Sequence, residues 1–122
     1  MILIDSFGWI EFLADGPLAS QYETYFADLS QIVTPTIVVY EVYKKVMREK
    51  REEEALVVVA QMKKTRMVPL TDELALSAAD LSLKLELPLA DSIVLATSYQ
   101  EGSPVVTSDP HFENLDNVTF IR

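Results

Sequence analysis

The sequence contains no cysteine, only three glycines and a single histidine among its 122 residues. Without cysteine, neither a disulfide framework nor a thiolate metal site can form. With so few glycines, the chain has no glycine-rich loop of the kind that wraps a nucleotide phosphate. One histidine also argues against zinc, which takes its ligands mainly from cysteine and histidine. The remaining candidates for chemistry are carboxylates, hydroxyls and cations.

Long apolar runs are missing too, although 49% of the residues are apolar. No uncharged stretch approaches the ~18 residues that span a bilayer. The apolar start, residues 1–4, lacks a basic leader. We therefore expect no membrane association, and the absence of cysteine fits a reducing cytoplasm. A length of 122 residues suits one core, so we expect residues 1–122 to form a single domain.

Basic residues are few and unevenly distributed. The chain has 19 acidic and 10 basic residues and a net charge of −9, which disfavours a general nucleic-acid binder because phosphate contacts require cations. Eight of the ten basic residues lie between positions 44 and 66, where only four acids occur, so this segment carries +4. The rest of the chain carries −13. The sequence predicts one surface that can approach phosphates and another that concentrates carboxylates.

Short apolar segments alternate with helical patterns along the chain. Strands are predicted at 1–4, 31–34, 67–70, 105–107 and 118–121, and helices at 9–14, 18–29, 36–51, 53–64, 71–87, 90–100 and 110–115. Apolar strands without alternation are typical of a parallel sheet that is buried on both faces. We therefore predict an α/β fold, a three-layer α/β/α sandwich with a short central parallel sheet.

Four acids occupy special places in this scheme. Asp5 ends the first strand, and Asp109 follows the fourth strand by two residues. Glu41 and Asp91 lie in early turns of helices that follow or precede strands. Because strand ends and helix starts share one edge of such a sheet, we expect these four carboxylates to converge. Crowded carboxylates repel one another, and Mg²⁺, for which Mn²⁺ can substitute, prefers such hard oxygen ligands.

Each acid also has an ordinary structural explanation. Asp5 can cap the helix that contains Trp9, Asp109 before Pro110 is typical of a helix start, and Asp91 can be a first-turn acid. Glu41 fits such an explanation least, because nearly all of its neighbours are apolar. The convergence of all four at one edge favours a metal site.

These residues resemble the PIN domain family and, within it, the VapC-type toxin ribonucleases. The family's first strand ends in Asp followed by Ser or Thr, here Ile4-Asp5-Ser6, and Glu41 matches its Glu early in the helix after the second strand. The family also has an Asp at the start of a late helix, here Leu89-Ala90-Asp91. A later strand of the family ends in a Thr-x-Asp-x-x-Phe motif, here residues 107–112. The resemblance covers essentially the whole chain. The one departure is Ser92, where the family usually has Ala.

The resemblance implies an Mg²⁺-dependent endoribonuclease that hydrolyses RNA with metal-activated water and is the toxin of a toxin–antitoxin pair. It also implies a homodimer and an antitoxin partner. The catalytic residues and metal ligands would be Asp5, Glu41, Asp91 and Asp109. Ser6 and Thr107 would orient these ligands.

Three cations follow Glu41 at helical spacing and are candidates for contacts with RNA phosphates. They are Lys44, Lys45 and Arg48. Because any exposed helix carries charges, a solvated helix face is the alternative explanation for each of them. The sole histidine, His111, is expected to be a surface residue beside Phe112 rather than a substrate contact.

Two other classes of protein remain open. A PIN-like scaffold without activity would act by binding a protein partner. A receiver-type phosphoacceptor has similar size and clustered acids, but it requires a lysine late in the chain, and none occurs between Lys84 and Arg122. A phosphatase with a second Asp two residues after the first is disfavoured by Phe7.

Overall fold

Five short parallel strands form the central sheet of the computed structural model, which describes residues 1–122. The strands are β1 (Ile2–Ile4), β2 (Ile32–Pro35), β3 (Arg66–Val68), β4 (Val105–Thr107) and β5 (Val118–Phe120). Their order is β3-β2-β1-β4-β5. In the central strand, Leu3 is in register with Val33 on one side and with Val105 on the other. The expected parallel sheet is confirmed.

Six helices connect these strands. They are α1 (Ser6–Leu13), α2 (Ala19–Glu23), α3 (Thr36–Glu49), α4 (Glu52–Met62), α5 (Asp72–Leu85) and α6 (Leu89–Glu101). The chain moves outward from β1 to β3 and then crosses back to β4. Because such crossovers are right-handed, α1 to α4 cover one face of the sheet and α5 and α6 cover the other. The predicted three-layer α/β/α sandwich is confirmed.

The helix that follows β1 packs tightly against the core. Trp9 is buried and contacts Phe26 edge to face, with ring centroids 4.8 Å apart. A Cβ on Gly8 would lie 2.5 Å from Cγ2 of Ile4 and 2.7 Å from the ring of Tyr22, so only glycine fits this contact without a shift. Close packing of this kind fixes the position of the β1–α1 junction, where Asp5 lies.

One predicted helix start is wrong. The first helix begins at Ser6, earlier than expected, because the Asp5 side chain caps it by accepting from the Gly8 N–H at 3.3 Å. α3 begins at Thr36 as predicted, and Pro35 occupies its cap position with extended backbone. Thr71 caps α5, because its Oγ1 accepts from the Leu74 N–H at 3.2 Å.

Residues 18–29 do not form the single helix predicted from their apolar spacing. α2 ends at Glu23, and two short 3₁₀ turns follow, Thr24–Phe26 and Leu29–Gln31. Asp28 starts the second turn by accepting from the Ser30 N–H at 3.0 Å. A further 3₁₀ turn, Pro110–Phe112, takes the place of the predicted helix 110–115. None of the helices combines the length and hydropathy that crossing a membrane requires.

Candidate metal centre

The sheet has a topological switch point between β1 and β4. From β1 the chain goes to β2 on one side, whereas β4 leads to β5 on the other. In open parallel sheets, ligands bind at the carboxyl ends of the strands beside such a reversal. Asp5 directly follows β1, and Thr107 is the last residue of β4. Two of the residues that the sequence singled out, Asp5 and Thr107, therefore lie at this edge.

Thr107 joins two of the four predicted acids. Its side chain is fully buried, and its Oγ1 donates to Oδ2 of Asp5 at 2.7 Å. The same oxygen accepts from the backbone N–H of Asp109 at 2.9 Å. Residues 102 positions apart in the chain are thus held in a fixed relation. These contacts are the ones expected of a residue that orients the acidic ligands.

Replacing Thr107 by valine is expected to weaken divalent-cation binding by about 10–100-fold, the usual effect of losing a partner that orients ligands. Valine has nearly the same shape, but it removes the hydroxyl that donates to Asp5 and accepts from the Asp109 N–H. The measurement is the dissociation constant for Mn²⁺ by calorimetry. Thr107→Ser should retain most of the affinity, and the exposed Thr119→Val serves as a control. Equal affinity in all three variants would refute this role.

Asp91 and Asp109 both lie next to the imidazole of His111. The His111 Nδ1 lies 3.0 Å from Oδ2 of Asp91 and 3.1 Å from Oδ1 of Asp109. One ligand atom from each of these three residues lies within 4.8 Å of the other two. Asp91 is in the first turn of α6, and Asp109 and His111 follow β4. The helix start and the strand end therefore share one cluster.

Burial makes ionisation of these carboxyls unfavourable. Desolvation raises the pKa of Asp5 from 3.8 to about 7, and hydrogen bonds from Thr107 and Gly8 only partly oppose it. Desolvation also raises the pKa of Asp91 to about 7, and the negative charge of Asp109 adds to the effect. A buried acid, Asp5, and a partly buried acid, Asp91, with pKa values near neutrality mark a place where a positive charge is needed.

Glu41 faces the same centre from α3. Desolvation raises its pKa, the charge of Asp109 adds to the rise, and the nearby Ser6 hydroxyl partly opposes it. Glu41 also contributes to the raised pKa of Asp91. Each of the four predicted acids is therefore within electrostatic reach of at least two of the others.

The structural explanations of two acids also hold. Asp5 caps α1, as noted above, and Asp109 caps the 3₁₀ turn by accepting from the His111 N–H at 3.0 Å. Each carboxylate has a second oxygen atom, so a capping role leaves one oxygen free for another partner. For Asp5 that oxygen meets Thr107, within the acidic centre.

A cationic cavity adjoins the acidic centre. It has a volume of about 260 Å³, and Ser6 and Glu41 line it together with the three cations predicted to contact RNA phosphates. Of these, Lys45 forms an ion pair with Glu49 at 2.7 Å, and Lys44 lies 5.5 Å from the ring centroid of Tyr40. The Glu41 carboxylate and the nearest cations, Lys44 and Lys45, are thus separated by one turn of α3.

The donor set fits a hard divalent cation. Asp5, Glu41, Asp91 and Asp109 offer carboxylate oxygens only, which Mg²⁺ and Mn²⁺ accept. A bound cation would favour the ionised forms of Asp5 and Asp91, whose pKa values burial raises to about 7, and would also offset the repulsion from the neighbouring acids.

Sequence reasoning missed the position of His111. Its side chain is 59% exposed, as expected of a surface residue, but its Nδ1 points to two acids of the centre. The available indication was its spacing, two residues after Asp109, in a short helix that was predicted to follow a strand end. The spacing alone could not reveal the contact with Asp91.

The fold and the acidic edge together define a class of α/β/α domain whose carboxylates gather at the switch point of a parallel sheet. Residues 2–118 match the model of the PIN domain family. The chain belongs to the PIN domain family. No curated protein matches it.

Solved structures with the same fold cover nearly the whole chain. A toxin–antitoxin complex from Klebsiella pneumoniae has a TM-score of 0.82 at 18% identity, covering 98% of this chain and 96% of that one. A sarcin-ricin-loop-cleaving VapC toxin of Mycobacterium tuberculosis has a TM-score of 0.82 at 16% identity and covers 100% of both chains. A VapBC structure from Rickettsia felis, bound to a promoter DNA fragment, has a TM-score of 0.76 at 16% identity, covering 98% and 97%. At these identities the likeness concerns the fold.

The strand order separates this chain from the receiver-type alternative. Receiver domains have the order 2-1-3-4-5, whereas this sheet has the order 3-2-1-4-5. Together with the family match, this removes the phosphoacceptor from consideration.

Proposed function

We propose that this protein is a divalent-metal-dependent endoribonuclease that uses Mg²⁺, with Mn²⁺ as a substitute, and hydrolyses RNA phosphodiester bonds. The observation that carries the proposal is the cluster of Asp91, Asp109 and His111 at the β1–β4 switch point, with Asp5 and Glu41 within electrostatic reach of it. The pKa values of Asp5 and Asp91 are raised to about 7. Membership of the PIN domain family supports the same activity. We also propose that the protein acts in the cytoplasm, a location that the absence of cysteine fits.

The chain's own residues have distinct parts in this proposal. Asp5 and Asp91 would hold the ion most directly, and Glu41 and Asp109 would complete its surroundings. A cation bound there would neutralise charge on the scissile phosphate and lower the pKa of a coordinated water. Thr107 keeps two of the acids in register through its paired hydrogen bonds. Such prior positioning lowers the reorganisation that the reaction requires.

The cations of the neighbouring cavity would guide the RNA backbone toward the acids. Lys44→Gln and Arg48→Gln are each expected to weaken binding of single-stranded RNA several-fold. Each change should also flatten the slope of log affinity against log salt by about 0.7, the share of one phosphate contact. Fluorescence anisotropy of labelled RNA measures both quantities. Lys84→Gln, on α5, is the control, and an effect of Lys84 as large as that of Arg48 would contradict the assignment.

Partnership with an antitoxin is part of the proposal. Its support is that structures of similar fold include a toxin–antitoxin complex. A toxin of this kind should stop bacterial growth when it is expressed alone, and inactivation of the acidic centre should remove that effect. Growth arrest that persists in an Asp91→Asn variant would speak against cleavage as its cause.

We also propose a homodimer formed through a leucine face, which we define by Leu70 just before α5, by Leu76 and Leu83 on α5, and by Leu89 at the start of α6. Leu83 is 84% exposed and Leu89 is 75% exposed. A cavity of about 490 Å³ lies beside them, lined mainly by alanines and leucines and by no charged residue. A chain with a net charge of −9 can approach a second copy of itself most readily through such an uncharged, self-complementary face.

Replacing Leu83 by glutamate is expected to convert the dimer to a monomer, because the charge would be buried without a partner at the two-fold contact. Sedimentation velocity reports the change in mass. Val57→Glu, on the exposed side of α4, introduces the same charge and should leave the dimer intact. A monomeric wild-type protein at high concentration would refute the dimer.

The activity is tested by incubating a mixed RNA pool with the protein and either Mg²⁺ or a chelator. We expect cleavage products only with the cation. No cleavage, together with no thermal stabilisation by Mg²⁺ or Mn²⁺, would favour the alternative, a PIN-like module that acts only by binding a protein.

A further inference from the structure

We infer that His111 contributes an imidazole nitrogen to the metal centre, so that this site binds Mn²⁺ and Co²⁺ in preference to Mg²⁺. The inference rests on the proposed function, since it concerns the ion of that same site. It adds a ligand of another chemical type to a centre otherwise made of carboxylates. Geometry, exposure and metal chemistry each support it.

The distances around the His111 Nδ1 match those between neighbouring ligands of one ion. In an octahedral site with ligands at 2.0–2.1 Å, two ligands at a right angle are about 3 Å apart. The Nδ1 lies 3.0 Å from Oδ2 of Asp91 and 3.1 Å from Oδ1 of Asp109. An ion in contact with both carboxylates can therefore reach the nitrogen without a rearrangement of the chain.

Asp91 lies on one element and Asp109 and His111 lie together on another, and the core keeps both elements in place. Asp91 is on the first turn of α6, whose residues from Ser92 to Ser98 are all buried. Phe112, directly after the histidine, is completely buried and fixes the turn. The imidazole itself is 59% exposed, so it can adjust by rotation, and space remains for waters and a substrate.

A nitrogen ligand changes which ion is favoured. Mg²⁺ prefers oxygen ligands and gains little from imidazole, whereas affinity for nitrogen donors rises from Mn²⁺ to Co²⁺ and Ni²⁺. A centre with carboxylates and one imidazole should accordingly favour Mn²⁺ and Co²⁺ over Mg²⁺. Loss of the imidazole should reduce that preference and leave the affinity for Mg²⁺ nearly unchanged.

The decisive measurement is the nitrogen coupling of bound Mn²⁺ by pulsed electron paramagnetic resonance. His111 is the sole histidine, so any imidazole signal in tag-free protein comes from it. We expect a ¹⁴N coupling in the wild type that disappears in His111→Gln. Calorimetry should show at least about a tenfold loss of Mn²⁺ and Co²⁺ affinity in this variant, and less than about a threefold loss for Mg²⁺.

The outcomes separate this inference from the proposed function. Bound Mn²⁺ without nitrogen coupling, or an equal loss of Mg²⁺ and Mn²⁺ affinity in His111→Gln, would overturn the histidine ligand and leave the carboxylate centre standing. Failure of the wild type to bind any of the three ions would instead refute the metal centre itself. Circular dichroism confirms that the variant is folded, and the exposed position of His111 favours this.

Discussion

Asp91→Asn is expected to lower the rate of RNA cleavage in Mg²⁺ by more than about 100-fold, since even residues that only orient metal ligands contribute 10–100-fold. Asparagine keeps the shape and the helix position but removes the negative charge. Asp91 contacts the His111 imidazole and interacts electrostatically with the three other acids of the centre, so its charge acts on the whole cluster. Single-turnover cleavage of a defined RNA measures the loss.

Two controls make this result specific. Asp80→Asn removes an exposed acid from α5, away from the switch point, and should leave the rate within about twofold, as surface changes usually do. Thermal melting in chelator should show that Asp91→Asn is folded and no less stable than the wild type. Retention of cleavage by folded Asp91→Asn would contradict the assignment of the centre.

The second large effect concerns stability in the absence of metal. Asp5→Asn should be more stable than the wild type at pH 8 in chelator, by about 2–4 kcal/mol, or roughly 10 °C in Tm. At this pH the wild type must hold an ionised carboxylate in a buried position, because the pKa of Asp5 in the folded protein is only about 7. Asparagine carries no charge and still caps α1 well.

The pH dependence follows from the direction of the shift. The Asp5 carboxyl ionises near pH 3.8 in the unfolded chain and near pH 7 in the folded protein, so the folded state binds this proton more tightly. The contribution of Asp5 to stability should therefore be greatest in acid, fall as pH rises from about 4 to 7, and level off above 7. Urea denaturation at a series of pH values in chelator should show a smaller fall for Asp5→Asn. Matching curves for the two proteins would disprove the assignment.

Metal should reverse this comparison. A cation that binds only the folded state adds stability in proportion to the logarithm of its concentration above the dissociation constant. We expect saturating Mn²⁺ to stabilise the wild type at pH 8 and to have little effect on Asp5→Asn. The Asp5 carboxylate should thus lower the stability of the metal-free protein and raise its affinity for metal.

The sequence was sufficient to predict those parts of the fold that depend on local pattern. Val105–Thr107 has the predicted bounds because an apolar run between turn residues admits few other structures. Residues 18–29 were predicted wrongly because apolar spacing does not distinguish a helix from successive short turns. The capping of the second turn by Asp28 decides the outcome there.

The site could be anticipated to the same extent. Strand ends and helix starts are local features, so the four acids could be assigned to one edge before any coordinates. The contact of His111 with Asp91 could not be anticipated, because it depends on how closely α6 approaches a turn that lies beyond the next strand. The paired hydrogen bonds of Thr107 likewise require the true spacing of β1 and β4.

The assembly of the centre from four distant segments links its chemistry to the integrity of the whole chain. Asp5, Glu41, Asp91 and Asp109 come from the end of β1, from α3, from α6 and from the turn after β4. No fragment that lacks one of these segments contains the complete set. Heat inactivation should therefore coincide with global unfolding, and limited proteolysis at any one segment should abolish activity in a single step.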